Sequence, residues 1–357
     1  MKKKVYPEHG RRVALGMSGG VDSSVSAVLL KEAGYDVTGV LLECWRAPGC
    51  RAEEDRKDAL AVALKLRIPF QVLDFKDTYK QKVVEYFFTE YKAGRTPNPD
   101  VLCNKEIKFG LFYDWAMENG FDYVATGHYA QIARDQNQIC WLSQSKDEWK
   151  DQTYFLYRLR GEQLEHILFP IGHLEKKEVR ELAKRFGLST ATKPDSQGIC
   201  FIGEINVHNF LKERLGENPG DVVNTKGEIL GRHKGLWFYT IGQRHGFDVP
   251  VKGAAIPPFY VIRKDAAKNQ LVVGFGAETF QSEFAIEDIH WITTGPTYDI
   301  QNTIYDLSVR IRHTGKLIPC TLEGNVVHLN EPSQGIASGQ SAVFYSDGIC
   351  LGGGVIV

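Results

Sequence analysis

Hydrophobic and polar positions change their period along the chain, and the changes mark out three regions. "RVALGM", from Arg12, is a short apolar run of the kind a buried strand makes. Val25, Val28, Leu29 and Ala33 then fall at helical spacing, and Gly34 supplies the stop. "YDVTGVLLE" predicts a second strand and "FQVLDF" a third. Between them, "AEEDRKDALAVALKL" predicts a helix whose acidic first turn suits the helix dipole. Tyr79, Val83, Phe87, Phe88 and Tyr91 mark the apolar face of another helix. "GRTPNPDVLC" breaks the period with two prolines and a glycine. A helix from about Asn104 to Asn119 and a strand at "FDYVATGH" follow, and helices continue to about Phe186. Strands alternating with helices predict an α/β domain with a Rossmann-like, doubly wound parallel sheet.

After about Asn218 the pattern becomes rich in glycine and β-formers, as in "GDVVNTKGEILGRHKGLWFYTIGQRHG". From "FYVIRKDAAKNQLVVG" onward, strand follows strand with polar turns, which predicts a small β-barrel at the C-terminal end. The expected division is 1–205 for the α/β domain, 206–273 for a small central domain and 274–357 for the barrel.

Composition narrows the class. The 357 residues are 43% apolar and 24% charged, ordinary for a soluble globular chain. A net charge of −1 does not point to a dedicated nucleic-acid binder, nor does it exclude a local basic face. The basic runs at Lys2–Lys4, Arg11–Arg12 and "EKKEVRELAKRFG" around Lys176 read first as solvated faces. No apolar run approaches the ~18–20 residues of a membrane span, and no signal-type segment follows the N-terminus, so the expected location is cytoplasmic. Seven cysteines with no C-x-x-C argue against a disulfide framework and against structural zinc, and no metal centre is expected.

The loop after the first strand carries the chemistry. In "GMSGGVDSS", Gly16, Gly19 and Gly20 let the backbone turn tightly around an anion, and Ser18, Ser23 and Ser24 add hydroxyls. G-x-x-x-x-G-K-[ST] and G-x-G-x-x-G are both absent, so neither a Walker loop nor a dinucleotide loop is present. A merely structural turn would not require this order of residues. The stretch "SGGVDSS" resembles the PP-loop of the ATP pyrophosphatases, of the adenine nucleotide α-hydrolase-like fold. That resemblance implies cleavage of ATP between its α- and β-phosphates, with Gly16, Met17, Ser18, Gly19, Gly20, Val21, Asp22 and Ser23 around the nucleotide and Asp22 near Mg2+.

Cys103 in "GRTPNPDVLCNKEIKFG" and Cys200 in "DSQGICFIG" each lie in a turn-rich stretch. A following helix and Lys108 would lower the pKa of the Cys103 thiol, and a mobile loop would bring Cys200 to another site. Cys44 and Cys50 are too few for a closed tetrahedral site, and Cys140, Cys320 and Cys350 read as packing residues in β-like runs. An iron–sulfur cluster on Cys103, Cys200 and Asp100 stays open, although no third cysteine stands close to either one in the sequence.

Together, "SGGVDSS", "GRTPNPDVLCNKEIKF", "ATGHYA", "KDQTYFLY", "DSQGICFIG", "YTIGQRHG" and "GQSAVFY" resemble, in order and nearly end to end, the tRNA-specific 2-thiouridylase family. The resemblance implies ATP-dependent 2-thiolation of the wobble uridine, U34, of tRNAs for Lys, Glu and Gln. It implies an adenylated base, a persulfide on Cys200, help from Cys103 and a transient Cys103–Cys200 disulfide, with Asp100 moving a proton. Asn98, Pro99 and Asp100 would meet the target base. Gly127 and Leu42 would lie near the nucleotide, Leu42 standing where a methionine is usual. His128, Lys150, Asp151, Gln152, Arg310, Ile311 and Gln340 would meet the tRNA, although "RIRH" departs from the family pattern at Ile311. The implied partners are tRNA and a sulfur donor, either a cysteine desulfurase or a sulfur-relay protein. Rival readings are an amide-forming PP-loop ligase, another tRNA thiolation, and a non-catalytic tRNA-binding or sulfur-carrier protein. No glutamine-hydrolysing domain is evident. The RNA-binding domains that precede the loop in 4-thiouridine enzymes and the C-x-x-C of 2-thiocytidine enzymes are not seen.

Overall fold

The structure is a computed structural model that describes residues 2–3, 10–46, 51–195, 200, 206–249, 258–292 and 307–357. Eight strands belong to the first part of the chain: β1 (Lys2–Lys3), β2 (Arg12–Gly16), β3 (Asp36–Glu43), β4 (Phe70–Asp74), β5 (Tyr123–Ala125), β6 (Gln131–Arg134), β7 (Cys140–Ser143) and β8 (Ile167–Leu168). Five of them form a sheet in the order β4-β3-β2-β5-β8, parallel throughout. Apolar residues of α1 (Val21–Glu32) and α2 (Ala52–Leu66) bury one face, and the helices between Lys76 and Glu118 bury the other. The sheet is therefore doubly wound, as the alternating pattern predicts. The order reverses beside β2, so the crevice at its carboxyl end is where this architecture binds ligands.

Two helical stretches differ from expectation. The first runs as α3 (Lys76–Tyr79), a π-turn over Lys80–Val84 and α4 (Glu85–Lys92). The second begins at α5 (Pro99–Leu102), before the expected start at Asn104, because Asn98 caps it and Pro99 suits its first position. A π-helical segment over Cys103–Leu111 joins it to α6 (Phe112–Glu118).

The expected run of helices to Phe186 is also corrected. Tyr123 to Leu168 holds four strands and two 3-10 turns, and only α7 (Lys176–Arg185) is a full helix. The β6–β7 hairpin leaves the parallel sheet and joins the C-terminal one.

After α8 (Val207–Leu215), β9 (Gly220–Val223), β10 (Ile229–His233), β11 (Tyr260–Asp265) and β12 (Gln270–Gly274) form a four-stranded sheet over Val222, Leu236, Leu271 and Val273. The remaining strands are β13 (Phe280–Trp291), β14 (Ser308–Arg310), β15 (Ile318–Glu323), β16 (Val326–Gln334), β17 (Ser341–Ser346) and β18 (Ile349–Ile356). They pair around the ring β18-β13-β16-β15-β14-β17, and β17 closes on β18 to make the expected barrel. A Cβ on Gly352 would lie 2.1 Å from the His290 carbonyl oxygen, so this crowded part of the barrel admits only glycine. Because β7 pairs with β18, the α/β domain and barrel share one sheet.

Candidate active site

The loop from Met17 to Gly20 sits at the carboxyl end of β2. Gly19 has φ +73°, and a Cβ there would lie 2.2 Å from the Asp55 carbonyl oxygen, so the turn requires glycine. No side chain caps the first turn of α1, which leaves its N–H groups open to an anion. Ser23 Oγ accepts from the Ser18 N–H at 3.2 Å and Ser24 Oγ donates to the Gly20 carbonyl at 2.7 Å, fixing the loop from within. Gly127, after β5, packs on this turn: a Cβ would lie 2.8 Å from the Ser23 nitrogen. Met17, Val21 and Leu42 are buried, and the Met17 side chain fills the space beside Gly39.

The lysine that the loop lacks arrives from 154 residues away. Lys176, at the start of α7, reaches both Asp22 carboxylate oxygens at 2.8 Å, and the Tyr129 hydroxyl donates to one of them at 2.9 Å. Lys176 also pairs with Asp195 at 3.0 Å, and Lys150 with Asp195 at 2.8 Å. Burial works against ionisation of Asp195, yet Lys150 and Lys176 hold its carboxyl well below the usual range. Lys176 is thus not one of the solvated cations of the basic run: its charge faces the loop.

The two cysteines, far apart in sequence, meet in space. Cys103 Sγ lies 3.5 Å from Cys200 Sγ, across 97 residues of chain. Asp100 accepts from the Cys200 N–H at 3.0 Å, and the Tyr79 hydroxyl donates to the Cys200 carbonyl at 2.6 Å. The expectation of a lowered Cys103 pKa is corrected. Cys103 lies inside the helical stretch, past the N-terminal turn whose open N–H groups would favour a thiolate, and it is fully buried. Burial pushes its thiol up. The Cys200 thiol is lowered instead, first by the hydrogen bond from Cys103 and then by Lys108. Burial raises the Asp100 carboxyl, so it binds a proton more readily than a surface aspartate.

Cys44, at the end of β3, is buried in the same core as Cys103 and feels the charge on Cys200, so a third cysteine does lie near the pair in space. Among the described residues, no group of three or more His, Cys, Asp or Glu side chains converges as a metal site. Cys50 lies outside the described residues.

Comparison with known proteins decides the family. The model described as tRNA methyl transferase HUP domain matches residues 11–204, the tRNA methyl transferase PRC-barrel domain 208–275 and the Aminomethyltransferase beta-barrel domain 281–356. A tRNA-specific 2-thiouridylase MnmA of Streptococcus sanguinis (strain SK36) is 46% identical over 356 residues, 97% of this chain and 95% of that relative. One from Streptococcus thermophilus (strain ATCC BAA-491 / LMD-9) is 47% identical over the same shares. This chain belongs to the tRNA-specific 2-thiouridylase family. Among solved structures, the U34-tRNA thiolase NcsA from Methanococcus maripaludis, with its 4Fe-4S cluster, is similar at 19% identity and a TM-score of 0.38, over 59% of this chain and 68% of that one.

In this 2-thiouridylase-family chain, the residues expected at the RNA divide into two groups. Asn98 caps α5, its Oδ1 accepting from the N–H groups of Asp100 and Val101, so Asn98, Pro99 and Asp100 form one rigid turn beside Cys200. Gln340 donates to the Thr96 carbonyl at 2.8 Å and so ties the barrel to the approach to that turn. Gln152 Oε1 accepts from the Tyr129 N–H at 2.9 Å. His128 is buried, between Thr126 and Lys108.

Asp151 and Arg310, expected as separate RNA contacts, meet each other at 2.8 Å, with side chains 0% and 9% exposed. The side chain of Ile311 lies in the barrel core. The residues missed by sequence are Lys176, Tyr129 and His313. His313 packs against Phe155 with ring centroids 4.3 Å apart and the planes tilted by 39°, and it feels the charge of Asp100. For Lys176 the signal was the basic run itself; Tyr129 and His313 stand inside the quoted stretches "ATGHYA" and "RIRH", where their neighbours drew the attention.

Proposed function

We propose that this protein uses ATP to replace the 2-oxygen of uridine 34 with sulfur in tRNAs for Lys, Glu and Gln. The reading rests on one observation above all: Cys103 and Cys200 lie 3.5 Å apart, and Lys108 and His128 link them to Gly127, which packs on the pyrophosphate-type loop. A loop alone would suit any enzyme that adenylates; a pair of thiols linked to it suits one that then delivers sulfur.

The chemistry follows from the positions. ATP lies along the loop, its phosphates on the open N–H groups of α1, with Met17, Leu42 and Gly127 on the walls of the nucleotide site. Asp22, with the neighbouring serine hydroxyls, offers the hard oxygen donors that Mg2+ takes, and the bound ion would offset charge on the leaving pyrophosphate. Lys176 stands at the same carboxylate and meets the charge that develops as the bond breaks.

The uracil leaves the anticodon stack and rests against Asn98, Pro99 and Asp100, as bases do in other enzymes that modify them. Its O2 attacks the α-phosphorus, the bond to the β-phosphate oxygen breaks, and pyrophosphate departs. Asp100 takes and returns a proton of the base. The terminal sulfur of a Cys200 persulfide then attacks C2, and the C2–O bond breaks to release AMP. Cys103 sulfur attacks Cys200 Sγ, the S–S bond to the base breaks, and its electron pair stays on the sulfur now bound to C2. The product is 2-thiouridine and a Cys103–Cys200 disulfide, which an external thiol reduces by two electrons.

The persulfide comes from a cysteine desulfurase or a relay protein, and tRNA phosphates meet Lys150 and neighbouring cations. We place this work in the cytoplasm and assign 1–205, 206–273 and 274–357 to the catalytic, central and barrel domains. Among the described residues, no helix is long and apolar enough to cross a membrane.

The test is incubation with unmodified tRNA, ATP, Mg2+ and a cysteine desulfurase with cysteine, followed by nucleoside mass spectrometry. The reading expects 2-thiouridine at position 34 and equimolar AMP. Sulfur in another nucleotide, or AMP formed with an amine acceptor instead, would overturn it.

A further inference from the structure

Lys108 is a charged residue in the wrong place for a surface helix. It lies beside both cysteines, among groups that are almost all buried. Its ammonium lies 3.3 Å from His128 Nε2. His128 Nδ1 in turn lies 2.7 Å from Thr126 Oγ1. An ammonium only donates, so Nε2 must be the bare nitrogen and Nδ1 must carry the proton to Thr126. That fixes His128 as a neutral acceptor. Burial, then the Lys108 charge, holds its pKa well below the usual histidine range, in agreement.

The backbone explains how Lys108 reaches this place. In an α-helix five residues turn ~500°, which leaves residue 108 about 140° away from residue 103. The segment Cys103–Leu111 is a π-helix, whose i→i+5 hydrogen bonds stack residue 108 over residue 103. The wider turn therefore carries the lysine to the cysteine side of the helix. Lys108 also hydrogen-bonds Cys200.

We propose that Lys108, held by His128, is the resident cation of the dithiol chamber and stabilises the anion on the Cys200 sulfur. The anion is a thiolate before sulfur loading and a persulfide after it; the second half rests on the function proposed above. Lys108 touches the reacting sulfur, and His128 acts through it as a positioning residue. The other titratable groups that face this sulfur work against the anion or stay neutral. Asp100 and Cys44 raise the cost of negative charge there, the Tyr79 hydroxyl is spent on the Cys200 carbonyl, and burial holds His313 below the usual histidine range. Cys103 donates its S–H to Cys200 but brings no charge. Lys108 thus supplies the positive charge at the pair.

The experiment is the pH profile of Cys200 alkylation by iodoacetamide in the full-length protein, read on the Cys200 peptide by mass spectrometry. It needs neither tRNA nor ATP, so its outcome is independent of whether the protein thiolates uridine. Lys108→Met should move the apparent pKa of Cys200 up by more than one unit and slow its alkylation at pH 7 at least tenfold. Lys108→Arg should restore most of the rate, and His128→Ala should shift the pKa the same way by less. Lys108→Gln, neutral and polar, carries the same expectation if the Met variant does not fold. A wild-type pH profile in a folded Lys108→Met or Lys108→Gln protein would overturn the proposal. So would loss of reactivity in Lys108→Arg equal to that in Lys108→Met.

Discussion

Arg310→Met offers a test that can be sized from the structure. Arg310 on β14 and Asp151 after β7 form an ion pair at 2.8 Å, with side chains 9% and 0% exposed. Removing one partner of a buried pair typically costs about 3–5 kcal/mol, because the other charge stays buried. Asp151 would keep the Ser145 N–H at 3.2 Å, the Thr153 hydroxyl at 2.8 Å and the Gln144 amide at 3.3 Å. Those donors place the loss near the low end, about 3 kcal/mol, or roughly 100-fold more frequent opening of the contact. Hydrogen exchange of the β14 and β17 amides measures this directly. The double variant Arg310→Met/Asp151→Asn should lose about 1–2 kcal/mol less than the sum of the singles, since it leaves no orphan charge. Unchanged exchange in Arg310→Met would refute the structural role. If Arg310 instead serves a tRNA phosphate, exchange stays constant while the slope of log affinity against log salt falls by about 1.

Other expectations follow from single positions. Gly19→Ala places a Cβ against the Asp55 carbonyl in a left-handed turn, so pyrophosphate release should fall more than 100-fold and stability by about 1–3 kcal/mol, read by a phosphate-coupled assay and thermal melting. Lys176→Met should slow pyrophosphate release by about 10–1,000-fold with tRNA affinity little changed, and Lys176→Arg should keep more activity. Lys264 donates to the Gly94 carbonyl at 2.9 Å, and burial lowers its pKa to about 8. The unfolded chain then binds more protons than the folded one between about pH 8 and the normal lysine value of ~10.4, so its contribution to stability rises with pH across that window. Lys264→Met should be more stable at pH 7 and lose that part of the pH dependence, as measured by melting temperature against the parent.

Local chemistry was readable where it was local. The span "AEEDRKDALAVALKL" is α2 itself, and the strands at Arg12, Asp36 and Phe70 follow from short apolar runs. The glycine and serine order of the loop also carried its geometry. What the sequence hid depends on distance along the chain. The β6 and β7 strands have four residues each, and β7 finds its partner in β18, more than 200 residues later. Lys176 looks like one more cation on a polar helix until α7 docks on α1. Arg310 and Asp151 look like exposed charges until the barrel closes over them. Cys103 shows why a neighbour rule fails. A nearby lysine and helix start favour a thiolate, but full burial raises the thiol and passes the charge to Cys200. The π-turn that seats Lys108 has no period that an apolar pattern would reveal.

Cys200→Ser tests the central claim most directly. The account predicts that this variant, given ATP, Mg2+, tRNA and a persulfide donor, still binds ATP and tRNA but leaves no 2-thiouridine detectable by nucleoside mass spectrometry. Retained 2-thiouridine in Cys200→Ser would contradict it, because sulfur would then reach the base without the sulfur atom that lies 3.5 Å from Cys103.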